Sequence, residues 1–340
     1  MRKLLNTLYV TTPGAYLSKD GLNVVISVEN KEIFRIPIVN LEGIVTFGYS
    51  GASPGLMKLC ADSSVSLVFL SPYGRYIGRF QGQTRGNVLL RMSQYQISRD
   101  SERSLHIAKL MIAGKIQNQR NVLRRFIRDN GELPEVVAAA EYLENAKQKA
   151  LSIVEVDSLR GIEGDCASVY FGVFHHLILN QKEDFVFNGR NRRPPKDFVN
   201  AMLSFLYTLL ANECAAALET IGLDPYVGFL HAIRPGRTSL ALDLVEELRA
   251  YLCDRMVLTL INKFQVNKKD FVAQGEDGTI MSEDGKKTII KAWQSRKKDI
   301  IEHPYLCEKV EIGLIPYIQA MLLAKYIRND IDDYPVFLFR

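Results

Sequence analysis

His231 and Glu246, fifteen residues apart in the run HAIRPGRTSLALDLVEEL, set an imidazole and a carboxylate at opposite ends of an Arg-Gly turn. A third acid, Glu163, interrupts the largely apolar run LRGIEGDCASVYFGVFHHLI. Two carboxylates and an imidazole make a donor set that divalent cations accept, so the chemistry these residues point to is a metal site assembled across the fold. Each residue also has a plainer reading. His231 reads as a hydrogen-bonded core imidazole or a turn anchor, and Glu163 as a cap or surface ion pair beside the more surface-like Asp165.

The elements that must position these groups are helices. In SLALDLVEELR the apolar residues Leu240, Leu244, Val245 and Leu248 recur at the spacing of a buried helical face, with Ser239 as the expected N-cap. At about 100° per residue, Asp243 and Glu246 differ by about 60° in direction, so both acids can approach one site, and Glu247 is a further acid beside them. Acids beside an apolar stripe are costly unless hydrated or met by positive charge, which a metal would supply. Before this helix, Arg234-Pro235-Gly236-Arg237 brings cations to a helix N-terminus, where a phosphate can also meet backbone donors. Around Glu163, Ile162, Cys166, Val169, Tyr170 and Val173 form a helical core face, with Gly164, Ala167 and Ser168 allowing close approach. The run FNGRNRRPPKDFVNAMLSFLY places Arg190, Arg192, Arg193 and Lys196 ahead of an apolar helix as candidate phosphate contacts. Asn200 in that helix reads either as a neighbour of the site or as a helix-helix bond. The adjacent His175 and His176 cannot share one face of an α-helix, and solvent or interhelix contacts account for them.

The fold class expected is α+β, a small N-terminal β domain followed by a larger, mainly α-helical catalytic domain. At 340 residues two domains are expected. Residues 1–88 read as short antiparallel strands broken at Asp20-Gly21 and Glu29-Asn30-Lys31, with one short helix capped by Ser53 and begun at Pro54. From 89 to 340 the long 3.6-periodic segments predict helices, with a hairpin near 271–290.

A formal charge of +5 with 47% hydrophobic and 24% charged residues describes a folded globular chain. Cations cluster at 99–128 and at 286–298, where Lys291 and Arg296 fall, and such clusters suit either a DNA backbone or solvated helix surface. Cys60, Cys166, Cys214, Cys253 and Cys307 form no CxxC pair, which argues for reduced packing residues and a cytoplasmic protein. The N-terminus lacks a signal-peptide pattern, and AMLSFLYTLLAN is too short to cross a membrane, so no membrane partner is expected. P-loop, HExxH, dinucleotide and GxSxG patterns are missing, which removes the usual signals of nucleotide hydrolases and oxidoreductases.

Taken together, Arg160–Asp165 (RGIEGD), the Arg- and Pro-rich run before NAMLSFLY, DPYVGFLH and SLALDLVEELR resemble the Cas1 family, the integrase-nuclease subunit of CRISPR spacer acquisition. The similarity runs through nearly the whole chain and includes GNVLLRMSQ at the domain boundary. The resemblance implies that Glu163, His231 and Glu246 hold Mg²⁺ or Mn²⁺, with Asp243 as a nearby catalytic acid and Glu247 as an adjacent substitute or a salt bridge. It also implies attack of DNA 3′-hydroxyls on repeat phosphodiesters, which inserts prespacer DNA into a CRISPR array. The candidate DNA contacts are Arg190, Arg192, Arg193, Lys196, Arg237, Lys291 and Arg296. The implied partners are prespacer and repeat-leader DNA, a second copy of the chain, and a small Cas2-family subunit in a four-plus-two complex. A catalytically silent DNA-binding scaffold and a structure-selective nuclease without integration are the alternatives.

Overall fold

The structure is a computed structural model that describes residues 6–48, 50–72, 74, 76–80, 82, 88–191, 194–273 and 278–339. It is α+β, and its contacts divide it into two compact units.

The first unit is built on two four-stranded sheets. One has the order β1-β5-β7-β8, from β1 (Asn6–Val10), β5 (Leu41–Phe47), β7 (Ser66–Leu70) and β8 (Tyr76–Phe80). The other has the order β4-β3-β2-β6, from β2 (Tyr16–Asp20), β3 (Asn23–Val28), β4 (Lys31–Pro37) and β6 (Gly51–Ala52). The Asp20-Gly21 break makes the expected β2–β3 hairpin, with Gly21 at φ 57°, and the β3–β4 turn puts both Glu29 and Asn30 at positive φ. Pairing is not purely antiparallel as the sequence suggested, because β1–β5, β5–β7 and β2–β6 are parallel. Alternating inward residues such as Leu17, Val24, Ile26, Ile44 and Leu67 meet Leu56 and Cys60 of α1 (Pro54–Ser63) to form this unit's core. Helix α1 begins as expected: Ser53 accepts the Leu56 N–H at 3.2 Å and Pro54 opens the first turn.

The second unit is helical: α2 (Val88–Arg99), α3 (Ser101–Asn130), α4 (Pro134–Ser152), α5 (Val156–Gly172), α6 (Phe198–Ile221), α7 (Ser239–Arg249) and α8 (Arg255–Asn262). The 30-residue α3 is started by Asp100, whose carboxylate accepts the Glu102 and Arg103 N–H groups at 3.1 Å each. Its buried positions Ile107, Met111, Ile112, Ile116, Leu123 and Phe126 give the length of helix against which α4, α5 and α7 pack. The segment that looked too short to span a membrane is part of the 24-residue α6, which is long and apolar enough by composition. Here that helix packs on α7 and α10 (Ile315–Ile327), burying Met202, Leu206, Leu209 and Leu218.

The expected hairpin is half right. Strands β9 (Phe271–Ala273) and β10 (Thr279–Met281) pair antiparallel, but from Glu283 the chain is a helix, α9 (Glu283–Lys297). The lysines, Ile289, Ile290 and Trp293 recur at helical spacing there, and Ile289 and Trp293 are buried. The cut between units falls within this helix, so Lys286–Asp299 and Glu311–Leu314 group with the strands of the first unit. Strands β11 (Ile300–Glu302) and β12 (Lys309–Glu311) form a short separate ladder.

Candidate metal centre

Helix α7 is buried nearly all round, with Leu240, Leu244 and Leu248 each 0% exposed. Burying such side chains contributes about 1.5–3 kcal/mol apiece, and that gain places three acids, Asp243, Glu246 and Glu247, in the interior. Each acid then requires its own partners, because an unpaired buried charge would cost more than a leucine returns. The partners differ completely between the three.

Glu246 faces α3. Its Oε2 is 2.7 Å from Lys115 Nζ, and Arg249 NH1 reaches the same carboxylate at 3.1 Å. The Lys115 ammonium, itself 0% exposed, also donates to Oε1 of Glu163 on α5. Glu163 and Glu246, from separate helices, thus grip one buried cation. Burial works against ionisation of Glu246, but Arg249, Lys115 and His231 together hold its carboxyl far below the usual carboxylate range. The Arg249 guanidinium lies 4.7 Å from the centre of the Tyr207 ring, which fixes its plane.

Asp243 points elsewhere. It accepts the backbone N–H groups of Phe229, Leu230 and His231 at 2.6, 3.0 and 3.0 Å, and its Oδ1 lies 2.6 Å from His231 Nδ1. A carboxylate is acceptor only, so Nδ1 donates its proton to Asp243 and Nε2 is the ring nitrogen left for another partner. A buried carboxylate orienting an imidazole in this way is the arrangement found behind metal-ligating histidines.

The loop that carries His231 is held from three further sides. Buried Gln94 of α2 donates to the carbonyls of Asp224 and Val227 at 2.8 Å each and accepts the Asp224 N–H at 2.9 Å. Ser104 of α3 donates to the Phe229 carbonyl at 3.2 Å, and Arg160 of α5 donates to that of Leu230 through Nε and NH2. Gly228 is required by close approach, since a Cβ there would lie 2.6 Å from Asp243 Oδ2 and 2.8 Å from the Ser239 carbonyl carbon. Ser239 is not the expected N-cap: it is the first helical residue, and its hydroxyl donates to the Ala232 carbonyl at 3.1 Å.

Glu247 is structural. Tyr334 O–H, the Phe337 N–H and Gln319 Nε2 all donate to it, tying α7 to α10 and to the C-terminal segment, while burial pushes its carboxyl up to about 7.

The candidate DNA contacts divide. Arg190 is committed inward, donating to Asn200 Oδ1 at 2.6 Å and Ser204 Oγ at 3.0 Å, and Asn200 in turn organises the loop before α6 through Gly189 and Asp197. Lys196 and Lys291 are exposed, Arg237 is half-buried, and Arg296 lies 3.9 Å from Asp299, while Arg192 and Arg193 lie outside the described residues. The two basic runs are not continuous patches. In the first, Lys115 is interior and Arg120 pairs with Glu144 at 3.1 Å. In the second, Lys286 donates to the Pro72 carbonyl at 2.6 Å and Lys297 to Thr7 and Glu42. His175 and His176 lie together after all: the α5 pattern ends in a tight 3₁₀ turn, which brings the rings within 3.9 Å beside a cavity of about 480 Å³.

Lys115 was hidden in the sequence by the arginines around it; its helical position, four residues after Met111 on the buried face, was the available signal. Gln94 and Arg160 were legible as parts of GNVLLRMSQ and RGIEGD but not as supports of the His231 loop. Among the described residues no cluster of three or more His, Cys, Asp or Glu side chains stands ready-formed around a cation, because Lys115 fills the space between the two glutamates and Asp243 faces the loop.

Comparison with known proteins places this architecture. A casposase bound to integration product superposes with a TM-score of 0.84 at 22% identity, covering 97% of this chain and 92% of that one. A Cas6-RT-Cas1–Cas2 complex gives 0.83 at 22% identity, covering 99% of this chain and 36% of that one. The family model described as CRISPR associated protein Cas1 matches residues 8–295. A CRISPR-associated endonuclease Cas1 of Chlorobaculum tepidum is 46% identical over 347 residues, covering 100% of both chains. The chain belongs to the Cas1 family.

Proposed function

We propose that the protein is a divalent-metal-dependent DNA endonuclease and integrase that inserts prespacer DNA into a CRISPR array. Family membership supports nuclease or integrase chemistry in general. The observation that carries the specific reading is the convergence of Glu163 and Glu246, from α5 and α7, on a single cationic group. That group is the Lys115 ammonium, which stands in for the cation the two carboxylates would hold. With His231 Nε2 as nitrogen donor, the set offers donor types that Mg²⁺ and Mn²⁺ accept. Bound there, the ion would supply Lewis acidity at the reacting phosphate.

The chain's own residues do the positioning. Asp243 fixes the ring tautomer of His231 and, at 0% exposure, acts through that imidazole rather than on DNA. Arg249 keeps Glu246 ionised, and Gln94, Ser104 and Arg160 hold the His231 loop against three helices. In the joining reaction the oxygen of a DNA 3′-hydroxyl forms a new bond to a repeat phosphorus as the bond to the departing DNA oxygen breaks, the nucleophile giving its proton to solvent and the departing oxygen taking one up to leave as a 3′-hydroxyl. The exposed Arg99, Arg103, Arg124, Arg125 and Arg128 at the ends of α2 and α3 supply cations for the DNA backbone.

The proposed assembly is two homodimers flanking a dimer of a Cas2-family subunit, in the cytoplasm. Four buried cysteines and one exposed one, all free, suit a reducing compartment. The first unit supports a second copy of the chain as partner, because β4 is a sheet edge whose Ile33 and Phe34 are 50% and 43% exposed, and Leu22 of the same unit is 66% exposed. The likeness of this fold to a chain of the Cas6-RT-Cas1–Cas2 complex supports the Cas2-family partner.

The test is joining of a labelled 3′-OH duplex to a repeat-containing plasmid with Mg²⁺ or Mn²⁺, with and without the small subunit. Integration predicts a covalently joined product that E163Q and H231A abolish while DNA binding persists. Cleavage without joining would leave a nuclease, and binding without either would leave a scaffold.

A further inference from the structure

The interior position of Lys115 is hard to reconcile with a passive structural lysine. It lies on the buried face of α3, 0% exposed, and spends its ammonium on two carboxylates that belong to two other helices. Both carboxylates are the ones assigned above to the divalent ion, and Glu246 is already served by Arg249. A doubly charged ion and an ammonium on the same two carboxylates would repel each other strongly in a site this enclosed, so the two compete for those oxygens. Glu163 is the most open member of the cluster, 29% exposed against 10% for Glu246, so it marks the side from which an ion would enter.

Resting on the metal-site reading, we propose that Lys115 is an intrinsic competitor for the divalent cation: its ammonium neutralises Glu163 and Glu246 in the metal-free protein and leaves at least one of them when the ion binds. The lysine thus keeps two facing carboxylates from splaying the helices apart before loading, and it weakens ion binding by the free energy needed to release it. The flexible four-carbon stem lets the ammonium leave without moving α3.

The expected behaviour of Lys115→Met, which preserves volume and removes the charge, is opposite to that of a ligand mutant. Its Mn²⁺ dissociation constant falls by about tenfold or more, a change of about 1.4 kcal/mol per decade. Its metal-free melting temperature drops, and the rise on adding Mn²⁺ exceeds that of the wild type. Calorimetric titration with Mn²⁺ and thermal melts of the full chain read both effects, with Lys115→Gln measured in parallel in case the methionine variant does not fold. On the wild type itself, a crystal structure located by Mn²⁺ anomalous scattering should show Nζ beyond hydrogen-bonding distance of at least one of the two carboxylates.

Mn²⁺ binding by the variants that is equal to or weaker than wild type would overturn the competition, as would a Mn²⁺-bound structure with Nζ still on both glutamates. If the wild type binds no Mn²⁺, or Glu163→Gln binds it as tightly as wild type, the metal-site reading fails instead. The two failures are therefore separable.

Discussion

Asp243 holds His231 twice, accepting both its backbone N–H at 3.0 Å and its ring Nδ1–H at 2.6 Å on the same oxygen. Loop and imidazole are therefore set by one carboxylate. Replacing it by asparagine puts an N–H₂ group among four donors. D243N is expected to weaken Mn²⁺ binding by about 10- to 100-fold and to cost about 1–3 kcal/mol of stability. Calorimetry and urea unfolding check the two numbers, and an unchanged metal affinity would show that the ring orientation does not matter.

Gln94 makes its three hydrogen bonds to the His231 loop without touching any acid of the site. Q94A removes three hydrogen bonds from part-buried backbone groups of Asp224 and Val227, at a cost of about 1–3 kcal/mol. The expected signature is faster amide exchange across residues 224–231 together with slower DNA joining. Protection equal to wild type in that segment would refute the bracing role.

Two neighbouring glutamates should behave as different residues. E246Q removes an anionic partner of Lys115 and Arg249 and is expected to eliminate Mn²⁺ binding. E247Q disturbs the donors Tyr334, Phe337 and Gln319, so it should lower stability by about 1–3 kcal/mol and increase proteolysis of the C-terminal segment while metal affinity stays within about twofold. Calorimetry with limited proteolysis distinguishes them. Equal loss of metal binding in both variants would contradict the division of roles.

His303 gives a pH dependence of known sign. It is 0% exposed, its Nε2 contacts Gln319 Oε1 at 3.2 Å, and its Nδ1 accepts the N–H groups of Tyr305 and Leu306 at 3.3 Å each. Burial, which disfavours the charged imidazolium, lowers its pKa and outweighs the opposing hydrogen bond to Gln319. The unfolded chain, with a histidine pKa of about 6.5, then binds more protons than the folded one. This contribution to stability is complete above about pH 6.5 and is lost as pH falls towards the folded value. Urea midpoints between about pH 7.5 and about pH 5 should fall less steeply in H303Q than in wild type. Parallel slopes would rule the residue out.

The sequence made the fold class legible through local periodicity, and the three ligands proposed above stand in contiguous motifs: Glu163 in RGIEGD, His231 in DPYVGFLH, Glu246 in DLVEEL. It did not show that Asp243 and Glu246, about 60° apart around α7, serve different partners. That depends on which elements lie opposite, the Gly228–His231 loop for one and α3 for the other. Nor did it separate Lys115 from the surface cations of α3, since charge counting is blind to burial. The error at residues 283–290 has a similar source: Glu283-Asp284-Gly285 looks like a turn but begins α9, with Gly285 placed where a Cβ would meet the Asp270 carbonyl at 2.4 Å.

Between α7 and α8 the rod passes through a π-helical turn, Ala250–Asp254, all five residues buried. Such a turn holds one residue more than an α-turn, so it offsets everything after it by about 100°. The offset lets Arg249 on one side and Asp254 on the other meet the same tyrosine, Tyr207, at its ring face and its hydroxyl. Shortening the chain by one amino acid here would leave a smoother helix that aims the Met256–Ile261 face at the wrong neighbours.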